Sequence, residues 1–471
     1  MKNPRMLAAS GMCGFASAFA LVAALAFPAT AQEDYSTWAH TKVITLNTSA
    51  TGANVAGLVG GFQVLVRLTS AHAEIFAQAK ANGADLRFRR LPGPSLRYQI
   101  ERWDSAGQTA SIWVRLDTIL GNNSTQTFNI YWGKASASDS SNGAKTFDAA
   151  GGYQGVWHFN NSLNDATANA INGTDEGSTD IAGAIGRGRD FDGASRITLG
   201  NNPAMSSGDA DLFTVESWVN WTSIGTSAAD RYRCIINHGT TNNADQFFMY
   251  ARNPSAGGTD PHYSFGYYTG SASNAALGYG IASDAGVWTH VTGVYDGNEW
   301  RVYRNGAVAA TVAKSGAPVN ASADWIIGAW GSSRNFLGSL DEIRFSNKVR
   351  SDDWIKLAYE TQKTGSTTLT YGATTVPAAL QQQTGKQVGF RWVEPSATSL
   401  VFRLPAGEGT GLIRISDLRG RTVWAREALL GATETSLIGE HLHAGTYLVR
   451  MTVRQSGSAD RVWQRRITLG Q

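Results

Sequence analysis

Apolar and polar residues alternate along most of the chain with a period of two, the spacing that sends successive side chains to opposite faces of a strand. The stretch 62–68 (FQVLVRL) reads as a half-buried strand, followed by similar runs at 85–89, 97–103, 112–116 and 127–132. Gly, Asn and Ser punctuate them at 104–108 and 121–125. Short strands at this spacing predict a β-sandwich over 35–135, interrupted by a helical turn of pattern at 73–82. Residues 133–150 (GKASASDSSNGAKTFDAA) carry little apolar content and read as a linker or loose edge segment.

Alternation resumes at 151. Strands are predicted at 156–159, 213–221, 234–237, 246–251, 263–268, 289–295, 299–304, 307–313, 324–327 and 337–345. In 213–221 (FTVESWVNW) large groups fall on both faces, as in a strand inside a two-sheet sandwich. Asp296-Gly297-Asn298 and Arg304-Asn305-Gly306 supply hairpin turns, with Gly or Asn where a positive φ is needed. Only a short helix, 352–362, and one more strand-like run, 364–375, follow. Antiparallel strands with no helices between them close most naturally as a jelly roll, here over 151–362. A linker at 376–391 (VPAALQQQTGKQVGFR) then leads to a third β unit over 392–471. The fold class is therefore all-β: an N-terminal β-sandwich, a central jelly roll and a small C-terminal sandwich.

The amino terminus carries a different signal. Lys2 and Arg5 precede an apolar run at 15–27, and Ala29-Thr30-Ala31 gives the small residues of a cleavage site. Residues 1–31 read as a secretory signal peptide rather than a membrane anchor, the run being short for a bilayer. Removal of its two cations would take the formal charge from +3 to 3 − 2 = +1. So neutral a protein lacks the dense positive surface that nucleic-acid binding requires. Cys234 would be the one cysteine left, which excludes an intramolecular disulfide; it lies in an apolar run (RCIINHG) and reads as a buried thiol.

Three resemblances can be tied to residues. The series VLVRLTS, GADLRFRR, LRYQIERWDSAGQTASIWVRLDTI and FNIYWG resembles an uncharacterised β-domain family of bacterial exported proteins that commonly precedes laminin-G-like modules. The series VWHFNNSLNDAT, RDFDGASRITLG, FTVESWV, WTHVTGVYDGNEWRVYRNG and FLGSLDEIRFSNKVRS resembles laminin-G-like, concanavalin A-like jelly rolls. The tail, with IRISDLRGRTVW and LHAGTYLVRM, is similar to the carboxy-terminal sorting domains of bacterial type IX secretion substrates. That resemblance implies secretion machinery as a partner. Together they imply an exported, extracellular or cell-surface protein that is not an integral membrane protein.

Catalytic patterns are missing. Laminarinase-type hydrolases on the jelly-roll fold align two glutamates and an aspartate on one strand, and a retaining pair must lie about 5.5 Å apart. The chain has no Glu-x-Asp-x-x-Glu, and Asp341-Glu342, being adjacent, would face opposite ways on a regular strand. Glu216 and Glu299 stand alone on their strands. Glu101 and Asp104 beside Trp103 read as a polar strand end running into a turn, and His158 and His290 as satisfied core or edge histidines. No Gly-x-Ser-x-Gly elbow and no His-Glu-x-x-His occurs. A non-catalytic module that binds extracellular polysaccharide or surface glycan is the expected function. The alternatives are an adhesion or structural protein that binds protein or cell-wall material, and a divergent glycoside hydrolase.

Aromatic faces that stack on sugar rings are the natural candidates for a binding surface. Trp330, between two strands in GAWGSSRN, is the tryptophan expected to be exposed, and Tyr268 and Tyr279 bracket a Gly/Ser/Asn loop. A structural calcium is the expected cofactor. The loop 160–175 is dense in oxygen donors. The jelly-roll resemblance implies a site formed by Asp165 and Asp341, with Asn164 or a carbonyl assisting. Against it stands turn capping by Asp165 and backbone bonding by Asp341.

Overall fold

The computed structural model describes residues 33–377 except 92, 206–211, 228–229, 241–243, 254–259, 269–272, 317–321 and 332, and, from 392, the strands of the tail up to 469. The expected signal peptide, and the expected linker beyond 377, lie outside the described residues. The chain divides into two compact units between Pro377 and Ala378. It is all-β, with antiparallel pairing throughout the described sheets.

The first unit holds two sandwiches. In one, a four-stranded sheet is ordered Leu369–Thr375, His40–Leu46, Gln126–Trp132, Arg87–Arg89; it faces a three-stranded sheet of Val59–Leu68, Thr109–Ile119 and Tyr98–Asp104. Leu369–Thr375 follows the jelly roll in sequence yet pairs with His40–Leu46, from Leu369↔Leu46 to Thr375↔Thr41. The first sandwich is therefore completed only after the second has been made. Hydrogen bonding explains the return. Without this partner one edge of His40–Leu46 would expose unpaired amides and carbonyls.

The other sandwich is the jelly roll. Ala307–Ala313, Glu299–Arg304, Thr289–Tyr295, Phe213–Trp221, Leu337–Ser346, Arg187–Asp192 and Thr179–Ala182 follow one another in one sheet, with Tyr153–Trp157 also paired to Leu337–Ser346. Its partner sheet is ordered Ser273–Tyr279, His262–Tyr268, Ala244–Arg252, Tyr232–Thr240, Trp325–Ile327, Arg196–Gly200, Thr174–Glu176. The core between them is aromatic, with Phe213, Phe247, Phe265, Tyr295, Trp300, Trp325 and Phe345 fully or almost fully buried. A β-carbon on Gly293 would fall 2.3 Å from the Phe265 ring, so glycine is what lets that ring pass. At the Arg304–Ala307 hairpin Asn305 and Gly306 take φ of 51° and 77°, as a tight turn requires.

The two sandwiches share apolar contacts. The helix Asp352–Gln362, capped by Ser351, places Trp354, Ile355, Leu357 and Ala358 in the first sandwich's core. Arg67 donates to the carbonyls of Thr361 and Gln362 at the helix's carboxyl end, where unpaired acceptors collect. The Asp353 carboxylate accepts from Gly57 N at 2.6 Å near the other end. Residues 133–150 are not a loose linker: Gly143–Thr146 is a short helix, and Phe147 is fully buried beside Trp113 and Tyr153. Gln63 Nε2 donates to the Thr146 carbonyl at 2.9 Å and Ile100 N to Ser141 Oγ at 2.8 Å, so polar contacts with the first sandwich hold the segment as well.

The second unit has a three-stranded sheet (Trp392–Ser396, Ser399–Leu404, Thr435–Gly439) and a four-stranded one (Thr422–Leu429, Thr410–Asp417, Gly445–Arg454, Arg461–Leu469). Ile413, Ile415, Tyr447 and Val449 are buried within it, which matches their alternation in the sequence. No helix among the described residues is long and apolar enough to cross a membrane.

Because the strand that completes the first sandwich lies beyond the jelly roll, residues 33–377 are expected to unfold in one calorimetric transition. The fragment 33–365, lacking that strand, should melt at a lower temperature. Two resolved transitions, or an unchanged Tm, would show the strand to be dispensable.

Candidate functional site

Charged side chains collect at the seam between the two sandwiches. On strand Leu337–Ser346 the residues that enter the jelly-roll core are Leu340, Ile343 and Phe345. The step of three between Leu340 and Ile343 means that Asp341 and Glu342 both point to the opposite face. A bulge makes this possible. The register with Phe213–Trp221 slips between Glu216↔Arg344 and Trp218↔Asp341, and Glu342 takes a left-handed φ of 51°. The expectation that these neighbours face opposite ways is corrected, since it assumed a regular strand.

Each buried acid has a distinct environment. Asp341 accepts from Ile185 N and Glu342 N, both at 2.8 Å. Burial, then the Glu342 charge, pushes its carboxyl well above the usual range. Burial acts on Glu342 in the same direction, but His158 and Arg344 outweigh it and hold its carboxyl low, at about 2. Arg344 reaches Glu342 Oε2 at 2.6 Å and lies 4.0 Å over the Trp113 ring. Removing one member of such a buried pair leaves the other unpaired, at a cost of about 3–5 kcal/mol. Glu101 arrives from the first sandwich, on strand Tyr98–Asp104. Its Oε2 accepts from Trp113 Nε1 at 2.8 Å, while Oε1 has no hydrogen-bond partner among the described residues. Burial, then Glu342 and Asp341, drives its carboxyl far up. The Glu101 side chain is thus buried at the seam, and the sequence pattern missed it because its partners across the seam, His158 and Glu342, are 57 and 241 positions away.

His158 stands in the middle. Its Nδ1 is 2.7 Å from Glu342 Oε1, its Nε2 is 3.2 Å from Gln99 Oε1, and its ring stacks on Trp113 at 5.9 Å. A cavity of about 270 Å³ opens beside it, lined by Gln99, Glu101, Asn160, Asn164 and Asp165 among others.

A second site lies on the outer face of the seven-stranded sheet. In Ala244–Arg252, Phe247, Met249 and Ala251 enter the core, while Phe248 and Tyr250 gather on the other side with Tyr232, Cys234 and Trp330. The rings of Phe248, Tyr250 and Trp330 lie within 28° of parallel at 4.3 to 6.0 Å. Arg334 covers Trp330 at 3.6 Å and Tyr232 at 4.3 Å. These residues, with Tyr268, Arg252, Ser273 and Asn274, line a groove of about 530 Å³. Ser264 Oγ, in the same lining, is fully buried without a hydrogen-bond partner among the described residues.

The expected ligand residues separate accordingly. Trp330 belongs to the groove but is 3% exposed, a correction to its expected exposure. It exchanges backbone hydrogen bonds with Ser333, and this turn folds it under Arg334. Tyr268 is partly exposed in the same lining. Tyr279 is 48% exposed, packs on His262 and stands outside the groove. Phe248, Tyr250, Arg252 and Arg334 were missed; the alternation of QFFMYAR, with aromatics on both faces, was the available signal.

Calcium does not fit the residues expected to hold it. Asp165 Oδ1 accepts from Val156 N and Thr167 N, and Oδ2 from Thr167 Oγ1 and Ile171 N, at 2.7 to 3.0 Å. Asp341 likewise faces two backbone amides. Both carboxylates are surrounded by N–H and O–H donors where a cation would need bare oxygens. Asn164 lines the seam cavity instead.

Residues 191–356 match the concanavalin A-like lectin/glucanases superfamily, so the jelly roll is a domain of that class. Residues 82–160, just before it, match a domain of unknown function, DUF2341. Comparison with curated protein sequences gives no match. Among solved structures, similarity extends to domain 4 of AbnA, a GH43 extracellular arabinanase from Geobacillus stearothermophilus, in complex with arabinotriose. The identity is 20%, over 44% of this chain and 98% of that one, with a TM-score of 0.35. It extends also to the receptor binding domain of botulinum neurotoxin D, at 12% identity over 66% of this chain and 74% of that one, with a TM-score of 0.35.

His290 gives the seam a measurable pH signature. It is buried, its Nδ1 lacks a hydrogen-bond partner among the described residues, and burial followed by the Arg344 charge holds it at about 3 instead of 6.5. As pH falls through 6.5 the unfolded chain takes up a proton that the folded chain refuses until about 3. Stability is lost progressively across that window. His290→Gln is expected to remove this loss, so its Tm should gain on wild type from pH 6.5 downward; parallel curves would contradict the assignment.

Proposed function

We propose that the protein is an exported, non-catalytic binding protein whose jelly roll holds a polysaccharide in the outer-face groove. One observation carries this reading: the groove combines aromatic rings, guanidinium groups and the polar side chains of Ser273 and Asn274 in one concave surface. Sugar recognition asks for this mixture, apolar ring faces for C–H surfaces and a few fixed polar groups for hydroxyls. Among the described residues, the groove lining contains no Asp or Glu. Glycoside hydrolysis commonly needs a pair of carboxyl groups, so this surface supports binding rather than bond cleavage. Partly exposed Tyr268 and Arg334 can meet a ligand without unpacking the buried rings beneath them.

Affinity electrophoresis and calorimetry of the whole chain against a polysaccharide panel test this. Tyr268→Ala and Arg334→Ala are each expected to weaken binding about tenfold, a typical loss for one aromatic or charged contact. Full retention of binding in both variants, or no retained polysaccharide, would overturn the reading.

The carboxy-terminal unit is proposed to deliver the protein to the cell surface. Its support is the tail's similarity in sequence to sorting domains and its two-sheet strand set. Deletion of 392–471 is expected to leave the protein in the periplasm, read by fractionation; unchanged surface delivery would refute it.

A further inference from the structure

We propose that Glu101, His158 and Glu342 form a binding site for one divalent first-row transition-metal ion, of the Zn²⁺ class, at the seam of the two sandwiches. One ligand atom from each of the three side chains can be chosen so that all lie within 4.8 Å of one another. Around a tetrahedral ion with bonds of about 2.1 Å, ligand atoms stand about 3.4 Å apart. The pairs His158 Nδ1–Glu342 Oε1, at 2.7 Å, and His158 Nδ1–Glu101 Oε2, at 3.9 Å, bracket that value.

Each side chain is also fixed by a further group, as ligands of a metal commonly are. Gln99 Oε1 receives His158 Nε2, Arg344 holds Glu342 Oε2, and Trp113 Nε1 holds Glu101. His158 meets an oxygen acceptor at both ring nitrogens. Gln99 fixes a proton on Nε2, and a cation at Nδ1 would satisfy both Nδ1 and Glu342 Oε1. Glu101 supplies an independent observation. Its side chain is 1% exposed, yet Oε1 has no hydrogen-bond partner among the described residues. A metal ion would give this buried carboxyl the further partner that its oxygen lacks.

The donor set selects the ion. One imidazole and two carboxylates suit Zn²⁺ and its neighbours, whereas Ca²⁺ takes six to eight oxygens. Remaining coordination positions can face the adjoining cavity of about 270 Å³, which has room for water. Because Glu101 comes from the first sandwich and the other two from the jelly roll, the ion would fasten one to the other.

The test uses the whole chain, stripped with chelator and dialysed against Zn²⁺, Mn²⁺ or Ca²⁺ alone. Metal content is read by mass spectrometry and stability by melting. One equivalent of Zn²⁺ per chain, with a rise in Tm that Ca²⁺ at equal concentration does not give, is the expected result. Glu101→Gln keeps the shape and an acceptor for Trp113. It should lower Zn²⁺ affinity at least tenfold with an unchanged circular dichroism spectrum. Should that variant fail to fold, Co²⁺ loaded into wild type must show the absorption of a low-symmetry nitrogen–oxygen site. Less than a tenth of an equivalent of metal in wild type would overturn the proposal. So would Glu101→Gln binding as wild type does, or a Tm that responds to Glu101→Gln and to no metal; the last outcome assigns the cluster to a shared proton.

Discussion

A single left-handed residue governs the arrangement of the first unit. With Glu342 at a φ of 51°, two consecutive carboxylates turn away from the jelly-roll core onto one face of the sheet. Such a backbone is costly for a residue with a side chain, and it persists only when its surroundings hold it. They do so here through Arg344, His158 and the amide of Ile185. None of these acids could be left bare against apolar surface, so the face they occupy must be covered by matching polar groups.

That cover is the first sandwich. Trp113 lies under Arg344 and holds Glu101, while Leu65 and Trp113 pack with Val156, Ile185 and Trp218 across the seam. The carboxyl-terminal helix and the strand Leu369–Thr375 secure the same junction from the other end. Apolar burial supplies the attraction, and the buried charges restrict which relative placement satisfies it. A sliding of one sandwich over the other would part Arg344 from Trp113 and His158 from Gln99, stranding groups that water could not reach.

The groove on the far sheet follows a different logic. Its aromatic rings are packed against one another and under Arg334, leaving Tyr268 and the polar rim to meet what enters. Stacked rings of this kind make a stiff floor, and a stiff floor loses little entropy when a ligand settles on it. The seam and the groove lie on different sheets of one jelly roll, so chemistry at one does not require chemistry at the other.

Alternation alone determined the all-β class, most strands, the hairpins at Gly297 and Asn305-Gly306, and the aromatic content of the core, because each depends on residues within a few positions of one another. Aromatic residues next to Gly-, Ser- and Asn-rich turns pointed to Trp330 and Tyr268, two members of the groove. What alternation could not determine were features made by distant residues or by a break in the period. The bulge at Glu342 reversed the facing that regular alternation implies. Glu101, His158 and Glu342 meet across 241 positions of sequence, and Leu369–Thr375 returns to His40–Leu46 across more than three hundred. Trp330 looked exposed from its flanking glycine and serines, yet Arg334 and the neighbouring rings cover it. Local spacing fixes which face a side chain takes on a regular strand; only the packed chain decides what that face meets.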